Sequence, residues 1–394
     1  MNYTSSIPLW NVENKWIVLR ADLNVPLNKS EIANDYRLQG VLPTIDALLK
    51  KKGRILLLTH LGRPTRYDPA LSTKILVPWF INRHYKIAWA ENPEHALELE
   101  KKSDSAIILL DNLRFFPGEK TGDTDFARKL AVLGQFYVDD AFGSLHREDS
   151  SISVLPTLFA PDHRTIGLLV EKELTALNKL LYAPEKPFIM ILGGGKVTDK
   201  LPLIDTVLDK VQTILLCPAT VCTFLKAKGY EVGKSLVDQT ALPLCMQIIK
   251  KAEKLSVKLE FPLDYLIALD TKKGVLKTVD AHEFPGNGIA LSIGPKTIAS
   301  YSAIIQQANT IFFNAAMGFQ DVQESGHGTQ ALLEAIARSK AFSVVGGGDS
   351  VTVALNAGLS SELDFLSTGG GATLMYLGGK ILPGLKAIFG DEKN

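Results

Sequence analysis

Cysteine is scarce in this chain: Cys217, Cys222 and Cys245 are odd in number, lack CxxC spacing and sit in apolar surroundings. That argues against a disulfide framework or a thiolate metal site and leaves reduced, structural thiols. Net charge is equally slight, at +1, so there is no global field for nucleic acid or an anionic membrane, and any basic patch must be local. No apolar run reaches the ~18 residues that cross a bilayer. The opening MNYTSSIPLWNVENKW has neither the basic nor the apolar region of a signal peptide. These absences predict a cytoplasmic enzyme or binding protein.

Arginine is nearly missing from one half. Residues 1–190 hold 10 of the 11 arginines and 8 of the 31 glycines, whereas the remainder holds 23 glycines and only Arg338. Arginine offers a rigid fork that grips carboxylate or phosphate at two points, and glycine lets backbone amides approach a polyphosphate closely. The asymmetry therefore predicts an oxyanion substrate site in the first half and a nucleotide site in the second. A length of 394 residues, 46% hydrophobic and 22% charged, fits a globular protein of two domains of about 150–200 residues each.

Short apolar runs (WIVLR, RILLLTH, AIILLD, QFYVDD, FIMILGGG, TILLCP, FFNAAMG, FSVVGGGD) alternate with amphipathic stretches of helical period. This is the βα alternation of parallel sheets buried on both faces. The fold expected is α/β: two open, doubly wound, Rossmann-like parallel-sheet domains joined by a hinge helix around a central cleft. The connector is GLLVEKELTALNKLLYAPEKP, residues 167–187. Ligands of such sheets sit outside the carboxyl ends of the strands.

Four strand ends in the first half carry basic groups: Arg20 after WIVL, His60 and Arg63 after RILLLT, Arg114 after AIIL, and His146 and Arg147 after QFYV. One such arginine is ordinarily a solvated surface group, but four in register argue for a convergent anion site. Asp22 and Asn24 suit either a substrate hydroxyl or simply a turn after the strand. In the second half, glycine triplets at 193–195, 346–348 and 369–371 close apolar runs. Each is expected to open a helix and present N–H groups to phosphate. The first is not a Walker A loop, because Val197 follows Lys196 and the first glycine position is Met190. On the expected helix, Lys196 and Lys200 share one face. Asp349 suits Mg²⁺ or a helix N-cap.

Taken together, RADLNVP, DYRLQGVLPTI, THLGRP, DNLRFFPGE, DDAFGSLHR, LGGGKVTDK, IGPKT, VVGGGDS and LSTGGGAT resemble the phosphoglycerate kinase family in order and approximate spacing, from about Arg20 to Gly384. The resemblance implies reversible, Mg-dependent phosphoryl transfer between 1,3-bisphosphoglycerate and ADP, giving 3-phosphoglycerate and ATP. It implies 3-phosphoglycerate contacts from Asp22, Asn24, Arg37, His60, Arg63, Arg114 and Arg147, of which Arg37 comes from the resemblance alone. On the nucleotide side it implies Gly194, Gly195, Lys196, Lys200, Ala290, Asn314, Asp321, Gly348, Asp349 and Ser350, with Asp349 near Mg²⁺. Arg37, Lys196, Lys200 and the amides of the Gly348 and Gly370 turns would converge on the transferring group. His60 would touch substrate and His146 would be structural, since a carboxylate nucleophile is already ionised and needs no general base.

The implied domains are 1–168 with about 383–394 for the substrate, 169–187 as hinge, and 188–382 for the nucleotide. The family's habit is monomeric, with small-molecule partners and neither nucleic acid nor membrane. Departures cluster in the nucleotide half. Asn314-Ala-Ala-Met-Gly318 replaces Asn-Gly-Pro-Met-Gly, and Asp321 stands for the ribose-contacting glutamate. Asn287-Gly-Ile-Ala-Leu-Ser292 replaces Gly-Trp-Met-Gly-Leu-Asp, Cys217-Pro218-Ala219-Thr220 replaces a third glycine-rich strand end, and Phe365-Leu-Ser-Thr368 replaces His-Val-Ser-Thr. A divergent working kinase, a binding or scaffold paralogue with impaired nucleotide use, and a kinase for another carboxylate are the three readings. The retained phosphate-facing charges favour the first.

Overall fold

The computed structural model describes residues 3–28, 31–194, 197–319 and 321–390. The chain divides into two compact units, one running to Thr175 and resuming at Ile381, the other spanning Ala176–Lys380.

In the first unit six strands form one parallel sheet: β1 (Trp16–Ala21), β2 (Arg54–Leu58), β3 (Ile87–Ala90), β4 (Ile107–Leu110), β5 (Phe136–Asp140) and β6 (Arg164–Ile166). Their order across the sheet is β3-β4-β2-β1-β5-β6. Every residue of WIVLRA and IILL is buried, as expected where helices cover both faces and the strand has no polar side. The chain works outward from β1 through β2 to the edge strand β3, steps back to β4 and then crosses to β5, so the switch point, where crossovers splay apart and leave a crevice, lies between β1 and β5.

The second unit repeats the plan. Strands β7 (Phe188–Leu192), β8 (Thr213–Leu216) and β9 (Lys258–Glu260) are followed by an antiparallel insert of β10 (Asp264–Leu269), β11 (Leu276–Asp280) and β12 (Gly288–Ile293). The main sheet then resumes with β13 (Thr310–Asn314), β14 (Phe342–Val345) and β15 (Phe365–Leu366). Its order is β9-β8-β7-β13-β14-β15, all parallel, and the insert is ordered β11-β10-β12.

The connector contains a helix over Leu168–Tyr182. Its start is held by Asp140, whose Oδ1 accepts from the amides of Leu169 at 2.9 Å and Val170 at 3.1 Å. A carboxylate there satisfies orphan helix donors and meets the positive dipole end. Gly167 is required for this approach, because a Cβ on it would lie 2.2 Å from that oxygen. The last described helix, Pro383–Phe389, packs on the first unit through Gly384 N–H to the Leu145 carbonyl at 3.0 Å. Arg164 Nε donates to the Ile388 carbonyl at 2.9 Å.

Candidate active site

Polar groups gather at the carboxyl ends of β1, β2, β4 and β5. The buried Asp22 carboxylate pairs with Arg37 from the helix Tyr36–Lys50. Burial pushes that carboxyl up, but Arg37, His60 and Arg20 overcome it and hold the group below the ordinary carboxylate range. Asn24 Oδ1 accepts from Gly62 N–H at 2.8 Å, and Arg114 donates to the Gly62 carbonyl. Gly62 has φ +63°, a left-handed conformation that glycine adopts without strain. It thus ties three strand ends together, with Arg63 exposed on the same loop. Arg147 lies near enough to His60 to lower its basicity. Asp22, Asn24, Arg37, His60, Arg114 and Arg147 are therefore brought together around this loop.

His60 is buried, and burial first, then Arg20, pushes its pKa down to about 3. Its imidazole is neutral at neutral pH and serves as a hydrogen-bonding group rather than a cation. His146 is likewise depressed by burial, and its Nδ1 is buried with no partner among the described residues.

Arg20 departs from the strand-end expectation. Its side chain is wholly buried, with Nε donating to Ser151 Oγ at 2.9 Å and Nη2 3.1 Å from His60 Nδ1. Ser151 in turn donates through N and Oγ to Glu119 at 3.0 and 2.7 Å. Tyr137 Oη lies 2.9 Å from Asp139 Oδ2 and 2.7 Å from the Ser151 carbonyl. Burial raises the Glu119 carboxyl and pushes Asp139 up to about 6, with Arg20 acting against both. Arg20 is thus a structural cation beneath the cluster and is not available to an anion in solvent.

Among the glycine turns, Gly195 and Lys196 lie outside the described residues. The first turn does not pass straight into a helix: residues 198–200 form a turn, and Lys200 precedes the helix Leu201–Val207 as its N-cap residue. The expectation that Lys200 lies within a helix opened by this turn is therefore corrected. Pro202, already inside the first turn of that helix, marks where it starts. Lys200 folds back instead, its Nζ 3.9 Å from where a Cβ on Gly194 would stand. Its burial lowers the ammonium pKa against the opposing effect of Asp199.

The other two triplets do open helices, Gly348–Asn356 and Gly371–Leu377, capped by Gly347 at φ +94° and Gly370 at φ +50°. At Gly347 a Cβ would meet Asn314 Nδ2 at 2.6 Å, the same nitrogen that donates to the Gly346 carbonyl at 2.8 Å. Asn314 thus sits beneath the second turn. Ser350 is buried, while Asp349 is exposed within the first helical turn and is not the N-cap. Ala290 N–H donates to Ser235 Oγ at 3.0 Å, and Asp321 forms an exposed ion pair with Lys273 at 3.2 Å. Ala219 has φ 71° and ψ −59°. Its loop covers the first glycine turn, with Gly194 N–H to the Pro218 carbonyl at 3.2 Å and Thr220 Oγ1 to the Gly194 carbonyl at 3.2 Å.

Two sheets with anion-binding groups at their carboxyl ends, arginines on one and glycine turns on the other, fit a phosphotransferase. The family model for phosphoglycerate kinase matches residues 7–380. The chain belongs to the phosphoglycerate kinase family. It is similar to the phosphoglycerate kinase of Akkermansia muciniphila, 38% identical with 96% of each chain covered. It is also similar to that of Aquifex aeolicus, 37% identical with 97% of each covered. Solved phosphoglycerate kinases from Coxiella burnetii (TM-score 0.80, 32% identity, 98% of each chain) and Pyrococcus horikoshii OT3 (TM-score 0.83, 28% identity, 97% of each chain) share the fold.

For this phosphoglycerate kinase family member, sequence reasoning missed the layer beneath the polar cluster around the Gly62 loop. Glu119 and Ser151, from separate segments, join Tyr137 and Asp139 of β5 in holding Arg20, while Asp140, adjacent to Asp139, caps the connector helix. The one local signal was the Asp139-Asp140 pair closing an otherwise apolar strand, where a buried carboxylate needs partners.

Proposed function

We propose that this chain is a working phosphoglycerate kinase of glycolysis and gluconeogenesis, moving a phosphoryl group between the acyl phosphate of 1,3-bisphosphoglycerate and ADP. The observation that carries the reading is the convergence of Asp22, Asn24, Arg37, His60, Arg114 and Arg147 on the Gly62 loop. Such a cluster suits a small phospho-carboxylate with an anionic group at each end. Arg37, Arg63, Arg114 and Arg147 would grip its carboxylate and phosphate, while Asp22 and Asn24 would accept from or donate to its hydroxyl. Neutral His60 adds a hydrogen bond without a proton to give away.

In the second unit, the N–H groups of the Gly348 and Gly370 turns, Lys200 and, by the resemblance, Lys196 would hold the nucleotide phosphates. Ser350 would stand beside them, Asp321 near the ribose, and Ala290 and Asn314 by the base and the second turn. Phosphoryl transfer needs positioning and charge neutralisation more than covalent help, which suits a site built from cations and amides. Asp349, an exposed carboxylate with no side-chain partner among the described residues, suits Mg²⁺, which takes one or two carboxylates plus phosphate oxygens and water. Bound there, the cation would neutralise phosphate charge. We place the enzyme in the cytoplasm, acting as a monomer on small molecules.

The test is Mg-ATP-dependent phosphorylation of 3-phosphoglycerate by the purified protein, coupled to NADH oxidation. Turnover of about 10–10³ s⁻¹ is expected, falling by roughly 10²–10³ in Lys200→Ala with 3-phosphoglycerate affinity nearly unchanged. Substrate binding without turnover would instead support a binding paralogue, and an equal loss of substrate affinity in Lys200→Ala would count against the lysine's assignment.

A further inference from the structure

The helix Thr220–Ala227 and the antiparallel insert leave between them a cavity of about 340 Å³, lined by Cys222, Lys228, Tyr230, Phe261, Tyr265 and Phe284, among others. Among the described residues none of the glycine turns contributes to its walls, and all of its lining belongs to the second unit. We propose that this cavity is a binding site, distinct from the reaction centre, for a small flat aromatic carboxylate.

Two observations select that chemistry. The walls are rings: Tyr265 meets Phe284 edge to face, with centroids 5.4 Å apart and planes at 86°. Tyr230 remains more than half exposed. A flat apolar body gains contact against such faces at little conformational cost. The rim, moreover, carries one uncompensated charge. Glu231 is engaged by Lys226 at 3.1 Å, and His282 lies 3.8 Å from Glu283. Lys228 has no carboxylate partner among the described residues, and its ammonium rests over the rings of Phe261 at 4.9 Å and Tyr230 at 5.7 Å. An ammonium held over aromatic faces beside an apolar cavity is placed to receive an anionic head group.

The volume falls at the lower end of small-molecule sites, about 300–1,000 Å³, and fits a fused two-ring acid. A nucleotide fits poorly, because its phosphates would need several cations and the rim supplies one. The ligand class is thus separate from the substrates of the proposed reaction, and the site stands or falls independently of that reading.

The test uses 2-naphthoate as probe and the neutral 2-naphthylmethanol as control, titrated into the full chain by calorimetry and by ligand-observed NMR. Saturable naphthoate binding is expected, about 10-fold weaker in Lys228→Ala, where the charge-assisted contact is lost. A several-fold weakening is expected for the neutral alcohol. Kinase turnover in Lys228→Ala should match the parent, showing that the fold is retained. Absence of saturable binding at about 5 mM, unchanged affinity in Lys228→Ala, or displacement of naphthoate by ADP would overturn the proposal.

Discussion

Ala219 is a place where the sequence strains the fold. With φ 71° and ψ −59° it occupies a γ-turn conformation that L side chains rarely adopt, and holding a residue there costs about 1–3 kcal/mol. Ala219→Gly removes that strain, while the added freedom of the unfolded chain takes back about 0.4–1 kcal/mol. The net expectation is a gain of about 1 kcal/mol, or a rise in Tm of roughly 2–4 °C for a unit of this size. Scanning calorimetry of the parent, Ala219→Gly and Ala219→Val measures it. Valine should lower Tm, since a β-branched residue tolerates positive φ worse than alanine. The loop is hydrogen-bonded on both sides of Gly194, so Ala219→Gly should also alter KM for ADP while leaving KM for 3-phosphoglycerate unchanged. A lower Tm for glycine than for alanine would refute the reasoning, because it would mean that the turn is held without strain.

Arg20→Met should lose about 3–5 kcal/mol, the cost of leaving buried acids without their cation, and chemical denaturation would register it as a lower midpoint. His60, depressed to about 3 by burial and Arg20, binds fewer protons folded than unfolded between that value and about 6.5. Stability should therefore fall as pH drops below about 6.5, by up to ~1.4 kcal/mol per pH unit, and Tm profiles of His60→Gln should lack that limb. Asp22 runs the other way: its depressed carboxyl stabilises the fold above the unfolded value of about 4 and loses that contribution as pH falls through its folded value. Because Arg37→Ala removes the largest opposing cation, it should move this acid-side loss of stability to higher pH, read as Tm between pH 3 and 7, and reduce turnover by 10-fold or more if Arg37 faces the transferring phosphate.

The amino-acid sequence by itself determined the alternation of strands and helices, because a strand buried on both faces must be apolar throughout and WIVLRA, IILL and FIMIL are nearly so. It also determined where the basic groups and glycine turns fall, since punctuation by glycine or arginine after an apolar run has a local cause: the strand ends and its crossover begins. The family lay in the order of nine short motifs, none sufficient alone. Arg37 had no such local signal, because it enters from a helix and meets Asp22 only after the sheet is assembled.

Only the tertiary structure decided which basic groups remain available. Arg20 and Arg114 read alike in the chain, each just beyond an apolar run. Yet Arg20 is fully enclosed with Ser151, His60 and the Glu119 network, whereas Arg114 reaches the Gly62 loop. Tertiary structure likewise turned Lys200 back over Gly194 instead of along a helix, and gave Asp140 to a helix start rather than to the cluster that Asp139 underlies. The physical reason is common to all three. A strand or a glycine turn is specified by residues next to one another, but the environment of a charge is specified by what packs around it from distant segments, and the partners met there decide whether that charge can face a ligand or holds the protein together.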